Sequence, residues 1–206
     1  MTSRPAVVVL AAGRGSRFDA QRHKLAQSLG GSTVLGSTLR NAVASQLSVV
    51  AVVTPALASE ARRFVAARDV VVLPEVGTDR SLPLGMGFSI ANGVSARPDA
   101  TGWLVLPGDM PLVRPDTLQA VAQALDHYPV AYAQHLGRRG HPVGFGSELY
   151  SELVKLSGDE GARRLVARYP AHGVEVDDAG LLVDVDTEQD LATLRQSQSG
   201  EPVQRL

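Results

Sequence analysis

Cysteine is missing from all 206 residues, which excludes disulfides, cysteine-ligated zinc, iron–sulfur clusters and thiol catalysis. The five histidines, His23, His127, His135, His141 and His172, show no ligand spacing such as HExxH, so a zinc site is not expected either. No run approaches the roughly 18 apolar residues of a membrane span. An excess of charge is also absent. The 20 Lys+Arg face 21 Asp+Glu, a formal net charge of −1, which argues against holding nucleic acid by bulk charge. Met1–Pro5 is too short and too weakly charged for a signal peptide. Repeats, low-complexity tracts and convincing linkers are lacking. The expectation is a cytoplasmic chain with no membrane or nucleic-acid partner. One domain is expected over residues 1–195, with a polar, frayed tail over 196–206. A chain of this length buries about 70% of its unfolded surface and needs no staples.

What is present is alternation. Ala6–Ala11 is a continuous, β-branched apolar run ended by Gly13, the pattern of a strand buried on both faces. Val49–Thr54, Val70–Leu73 and Trp103–Leu106 repeat it, each closed by Pro or Gly. Helices are expected over Val34–Ser45, Leu57–Ala67, Gly87–Val94 and Pro115–Tyr128, where Leu118, Val121, Ala122 and Leu125 share one face. This order predicts an α/β fold, a mostly parallel sheet with helices on both faces. Further on, strands are expected at Val130–Gln134, Val143–Phe145, Val174–Val176 and Leu181–Val185. A basic loop, Gly137–Pro142, would separate the first two. Helices are expected at Ser147–Lys155, Gly158–Ala167 and from Thr187, whose spacing to Asp190 is that of a capping box.

Ligands of open parallel sheets bind beyond the carboxyl ends of the strands, and three loops there stand out. Leu10-Ala11-Ala12-Gly13-Arg14-Gly15-Ser16-Arg17-Phe18 offers a backbone nest for phosphate oxygens, with Arg14, Arg17 and Lys24 adding charge. It is equally a glycine turn with solvated basic residues. Phe18 replaces the third glycine of a dinucleotide fingerprint, and a Walker A loop is absent. In Leu106-Pro107-Gly108-Asp109-Met110-Pro111-Leu112, a carboxylate braced by prolines suits Mg²⁺, or else caps a turn. In Leu182–Thr187, Asp184 and Asp186 are two apart on an expected strand end and share a face. Asp186 either completes a metal site with Asp109 or marks a helix entry. Gly85–Ser89 has the small residues that let a flat ligand approach, or forms a turn before a helix. Arg138, Arg139 and His141 either grip an anion or are solvated.

Leu10–Phe18 with Lys24, Gly85–Ser89, Pro107–Pro111, Gly140–Gly144, Gly158–Arg163 and Asp184–Leu191 occur here in one order. Together, over about Ala6 to Leu194, they resemble the molybdenum-cofactor cytidylyltransferases of the molybdopterin nucleotidyltransferase-like group. The resemblance implies a Rossmann-like, three-layer nucleotide-diphospho-sugar transferase fold. It also implies Mg²⁺-dependent transfer of CMP from CTP to a molybdopterin-type phosphate, releasing pyrophosphate. Carried over by position, the nucleotide would meet Leu10, Ala11, Ala12, Gly13, Arg14, Gly15, Ser16, Gly87, Ser89, Pro107 and Gly108. Lys24, Arg17 and Asp109 would be catalytic, and Asp109 and Asp186 would hold the metal. Arg139, His141, Asp159 and Arg163 would bind the acceptor. A molybdenum hydroxylase or its maturation factor would receive the product. Ala12 at the loop position associated with base choice favours CTP over GTP. The chain departs from the pattern in a longer stretch between Arg17 and Lys24, and in Glu188, where the group often has proline. Guanylyl transfer, a sugar-1-phosphate acceptor, and a non-catalytic delivery protein are the competing readings.

Overall fold

The computed structural model describes residues 4–13, 23–74, 85–159 and 161–199. The strands are β1 (Ala6–Ala11), β2 (Ser28–Leu29), β3 (Ser32–Thr33), β4 (Ser48–Val53), β5 (Val70–Val72), β6 (Gly102–Pro107), β7 (Val130–His135), β8 (Arg138–Gly146) and β9 (Ala171–Glu175). The α-helices are α1 (Val34–Ala44), α2 (Pro55–Ala61), α3 (Met86–Ser95), α4 (Pro115–Ala124), α5 (Tyr150–Leu153), α6 (Arg163–Arg168) and α7 (Glu188–Ser199). Among the described residues none is long and apolar enough to cross a membrane.

Seven strands form one sheet in the order β5-β4-β1-β6-β8-β7-β9. The pairs β5–β4, β4–β1, β1–β6 and β7–β9 are parallel, while β8 runs antiparallel to β6 and β7. Alternate residues of β1 enter two separate cores. Val7, Val9 and Ala11 pack with Leu35, Leu39 and Leu118 on one face. Ala6 and Val8 pack with Ile90, Val94 and Leu153 on the other. This explains the unbroken apolar run of a strand covered on both faces. On the second face α3 lies close. A β-carbon on Gly93 would overlap Val8 Cγ1 and crowd Val52 Cγ2. β4 pairs on one side of β1 and the later β6 on the other, both parallel to it, so the direction in which strands are added reverses at β1. That reversal opens a crevice beyond its carboxyl end.

Several expected elements differ. The basic loop is mostly strand. Leu136 and Gly137 take positive φ of 50° and 73°, so the turn shrinks to two residues and Arg138 and Arg139 pair with His135 and Gln134. The helix expected over Leu57–Ala67 ends at Ala61, and i→i+3 bonds such as Arg63 N to Glu60 O tighten the chain toward the 3-10 turn Ala67–Asp69. The helix expected over Ser147–Lys155 divides into a 3-10 turn, Ser147–Leu149, and α5. The helix expected from Gly158 begins at Arg163, because Gly158 and Gly161 sit at φ of 65° and 57°. The strand expected at Leu181–Val185 is instead a 3-10 turn, Ala179–Leu182, followed by extended chain. Asp178 imposes that turn by accepting from Gly180 N at 3.0 Å. The segment expected to fray continues α7 as far as Ser199.

Candidate active site

The end of β1 and the end of β6 are stitched at the crevice. Gly108 N donates to Leu10 O at 2.8 Å. A β-carbon on Gly108 would sit 3.0 Å from that oxygen and 3.1 Å from Ala11 Cβ, so this crossing requires glycine. The loop that follows is tied from α1. Thr38 Oγ1 donates to Gly108 O at 2.9 Å, and Asn41 Nδ2 donates to Pro111 O and Val113 O, both at 3.0 Å. Asp109 therefore projects from a backbone with little freedom. Its carbonyl accepts from Val185 N at 2.9 Å, which brings the next residue, Asp186, alongside.

Asp186 is itself placed by the start of α7. Asp190 Oδ2 accepts from Asp186 N at 3.1 Å and Thr187 N at 2.7 Å, and Thr187 Oγ1 accepts from Asp190 N at 3.2 Å. This is the capping box expected from the spacing. Hydrogen bonding from the Thr187 hydroxyl, with smaller help from the two backbone N–H groups and Lys24, holds the Asp190 carboxyl below its ordinary range.

Lys24 completes the cluster. Its Nζ donates to Asp109 Oδ2 at 2.6 Å and to Asp186 Oδ1 at 2.9 Å. Burial alone would lower the pKa of this amine. Its hydrogen bonds to the two carboxylates, and their charges, outweigh that and raise it above 10.5. Lys24 is held in turn by a residue with no counterpart in the sequence reading, His23. Its Nδ1 accepts from Leu25 N at 3.2 Å, so the proton lies on Nε2, which donates to Gly13 O at 3.0 Å. One imidazole thus caps the 3-10 turn Lys24–Ala26 and ties it to the end of the β1 loop. A lone histidine beside a lysine carries no spacing signal, so only tertiary contact identifies it.

A cavity of about 530 Å³ is lined by Leu10, Ala11, Ala12, Gly13, His23, Lys24, Leu25, Gly85, Met86, Ser89, Pro107, Asp109 and Asp159. The first loop, the lysine and the Asp109 acid therefore share one hollow, as does Ser89, whose hydroxyl donates back to Gly85 O at 3.2 Å. Arg14, Gly15, Ser16 and Arg17 lie outside the described residues. Two glycines expected at the nucleotide are placed differently. Gly87 is closed by the Ser157 backbone, which a β-carbon would meet at 2.7 Å, and Gly108 faces Leu10 and Ala11. Both serve close packing of backbone and do not line the cavity. Asp184 is exposed and, among the described residues, does not form a metal-holding group with the acid pair.

A second cavity, about 570 Å³, shares Met86 with the first and holds Arg139, His141 and Arg163 against Ile90, Val105, Val143, Phe145 and Val166. Three of the four residues expected on the acceptor side are thus together. The fourth, Asp159, belongs to the first cavity, because Gly87 N bonds Gly158 O at 2.8 Å and draws that segment over Gly85. Burial lowers the His141 pKa below 6.5, and nearby Arg139 adds to this against the opposing charge of Asp109. The imidazole is therefore neutral at pH 7.

The acid pair fits a hard divalent cation. Both are carboxylates converging on one cationic point, and among the described residues no group of three or more His, Cys, Asp or Glu surrounds them. Such a pair leaves the remaining positions of an octahedral ion for water and substrate oxygens, the usual habit of Mg²⁺.

Known proteins place this geometry in context. Purine catabolism protein PucB of Bacillus subtilis is 30% identical over 207 residues, covering 93% of this chain and 96% of that protein. The bifunctional protein GlmU of Alkalilimnicola ehrlichii is 37% identical over 123 residues. The matched region is 58% of this chain and only 25% of that protein, so the chain spans about a quarter of the GlmU length. The crystal structure of Rv0371c from Mycobacterium tuberculosis superposes with a TM-score of 0.80 at 30% identity, covering 95% of this chain and all of that one. The same protein in complex with manganese gives 0.77 at 28% identity. The fold is the Rossmann-like one of the nucleotide-diphospho-sugar transferases. Since residues 7–174 match the MobA-like NTP transferase domain, the chain belongs to that family of nucleotidyltransferases.

Proposed function

We propose that this nucleotidyltransferase moves CMP from CTP to a molybdopterin-type phosphate, with Mg²⁺ and with release of pyrophosphate. The observation that carries the reading is the convergence of Lys24 and Asp109 with the Leu10–Gly13 loop in one cavity, Asp186 closing the cluster. Asp109 and Asp186 would hold the cation, which when bound neutralises phosphate charge. The Leu10–Gly13 backbone would meet the nucleoside end of a triphosphate, and Arg14 and Arg17, outside the described residues, are assigned to its phosphates. Lys24 offsets charge on the equatorial oxygens of the attacked phosphorus. An acceptor phosphate is already ionised at pH 7, so the protein's work is positioning and charge stabilisation.

The second cavity supports a flat acceptor over a sugar phosphate. Its walls are mainly aliphatic or aromatic, with charge concentrated at Arg139 and Arg163. Sugar hydroxyls buried against Val105, Val143 and Phe145 would lose hydrogen bonds to water without replacement. A flat ring can lay its faces on those walls while its anionic group meets the two arginines. The match to GlmU keeps guanylyl or sugar-1-phosphate transfer on the same fold in view as the second reading. In this reading residues 1–195 act as one domain in the cytoplasm, and a molybdenum hydroxylase or its maturation factor takes the product.

Incubating the chain with each of the four NTPs, Mg²⁺ and candidate acceptors, and measuring pyrophosphate, tests the proposal. CTP with a molybdopterin phosphate is expected to give the fastest release. Preference for GTP, or for a sugar phosphate, moves the assignment to the second reading. Tight CTP binding with no product under any pairing supports a delivery protein instead.

A further inference from the structure

The Lys24 ammonium occupies the ground a metal would need. It contacts one oxygen of each acid, and the side chains of Lys24, Asp109 and Asp186 are only 12%, 18% and 28% exposed. A divalent ion taking the same two oxygens, Asp109 Oδ2 and Asp186 Oδ1, at about 2.0–2.1 Å for Mg²⁺, competes with the ammonium for that place. Single and double positive charges a few ångströms apart in a half-buried cleft repel strongly. The lysine also has an advantage over a free ion, because it is tethered and its effective concentration is high. No further His, Cys, Asp or Glu among the described residues forms a metal-holding group with the pair, so among those residues the two carboxylates are the acidic ligands an ion would meet. A triphosphate alters both sides of this balance. It brings its own oxygen ligands with the ion, and it offers Lys24 a new anionic partner.

We infer that Lys24 is an internal counter-ion that closes the Asp109–Asp186 pair to free divalent cations and releases it only to a cation arriving with nucleotide. The second half rests on the nucleotide reading above. The first half concerns only these three side chains.

The test is Mn²⁺ binding to the full chain without nucleotide, read by electron paramagnetic resonance of the free ion. Lys24→Met is expected to bind Mn²⁺ at least about ten-fold more tightly than the native chain, since a competing charge is gone. Lys24→Arg keeps the charge and is expected to stay within about three-fold of native. Adding Asp109→Asn to Lys24→Met is expected to abolish the gain. Equal Mn²⁺ affinity in the native chain and Lys24→Met overturns the inference, and so does a gain that survives Asp109→Asn. A second measurement uses the native chain alone. The ¹⁵N signal of the Lys24 ammonium, slowed in exchange by its two carboxylates, is expected to keep its position in Mg²⁺ and to move when Mg²⁺ and CTP are added together. Movement or loss of the signal in Mg²⁺ alone overturns the inference, and so does a signal unmoved by Mg²⁺ with bound CTP. Failure of the nucleotide reading looks different: the Lys24→Met gain stands while CTP neither binds nor turns over.

Discussion

Val185 donates its backbone N–H to the carbonyl of Asp109 at 2.9 Å. That one bond sets the carboxylate of Asp186 beside the carboxylate of Asp109, although the two come from distant parts of the chain. Lys24 then needs a single position to reach both. Asp109→Ala and Lys24→Ala are each expected to lower turnover by about 10²–10³, the scale for loss of one well-placed electrostatic group. Their thermal unfolding is expected to stay near native. The check is pyrophosphate release beside a melting curve, and near-normal release in either variant removes the assigned roles.

Asp178 supports the same region from below. It is 5% exposed and accepts from Arg114 N at 2.9 Å, Thr117 Oγ1 at 2.6 Å and Gly180 N at 3.0 Å. It thereby joins the start of α4 to the chain leading into Asp186. Asp178→Ala strands buried donors and is expected to cost about 2–4 kcal/mol of stability by urea unfolding. A loss below about 0.5 kcal/mol, the usual scale for surface changes, would show that the network is dispensable.

Asp109 and the Leu10–Gly13 turn were legible because a carboxylate or small residues at the end of a buried strand carry position-specific meaning. Asp186 was singled out on a strand that does not form, and the Val185–Asp109 bond places it. The alternation of Ala6–Ala11 with Val34–Ser45 and Val49–Thr54 was enough to locate β1, α1 and β4 and to expect a mostly parallel sheet. The second half was harder to read for reasons that particular residues make plain. Whether Arg138–Pro142 is loop or strand turned on two residues adopting positive φ, at Leu136 and Gly137. Neither Leu136 nor a lone glycine announces that. Asp178 diverted the chain before Leu181 could join the sheet, through contacts with Arg114 and Thr117 that are remote in sequence. Asp159 moved between cavities because of one backbone bond, from Gly87 to Gly158. Local pattern carried the strands, and long-range hydrogen bonds decided the rest.

His141 makes stability depend on pH with a definite sign. Its native pKa lies below 6.5, mainly through burial. Below pH 6.5 the unfolded chain binds a proton that the native chain does not, so this contribution is complete above pH 6.5. It declines as pH falls toward the lower native value. The His141→Asn variant is expected to show a flatter fall in urea midpoint than native as pH drops below 6.5. Parallel curves for the two chains would contradict this.

Asp159 and Arg163 provide a test of which cavity serves which substrate. Asp159 lines the hollow with Leu10–Gly13, while Arg163 lines the hollow with His141. Asp159→Asn is expected to raise the KM for CTP about five-fold, roughly 1 kcal/mol, with the KM for the acceptor unchanged. Arg163→Ala is expected to do the reverse. Steady-state kinetics with each substrate varied in turn decides it, and a shift in acceptor KM alone for Asp159→Asn would return that residue to the acceptor side.

The most direct measurement is anomalous diffraction from crystals of the full chain soaked with Mn²⁺ and CTP. The expected map has a manganese peak contacting Asp109 and Asp186, the Lys24 ammonium shifted onto phosphate oxygens, and the cytosine against Leu10–Gly13. Nucleotide bound elsewhere, or manganese away from both acids with Lys24 still between them, would contradict the account.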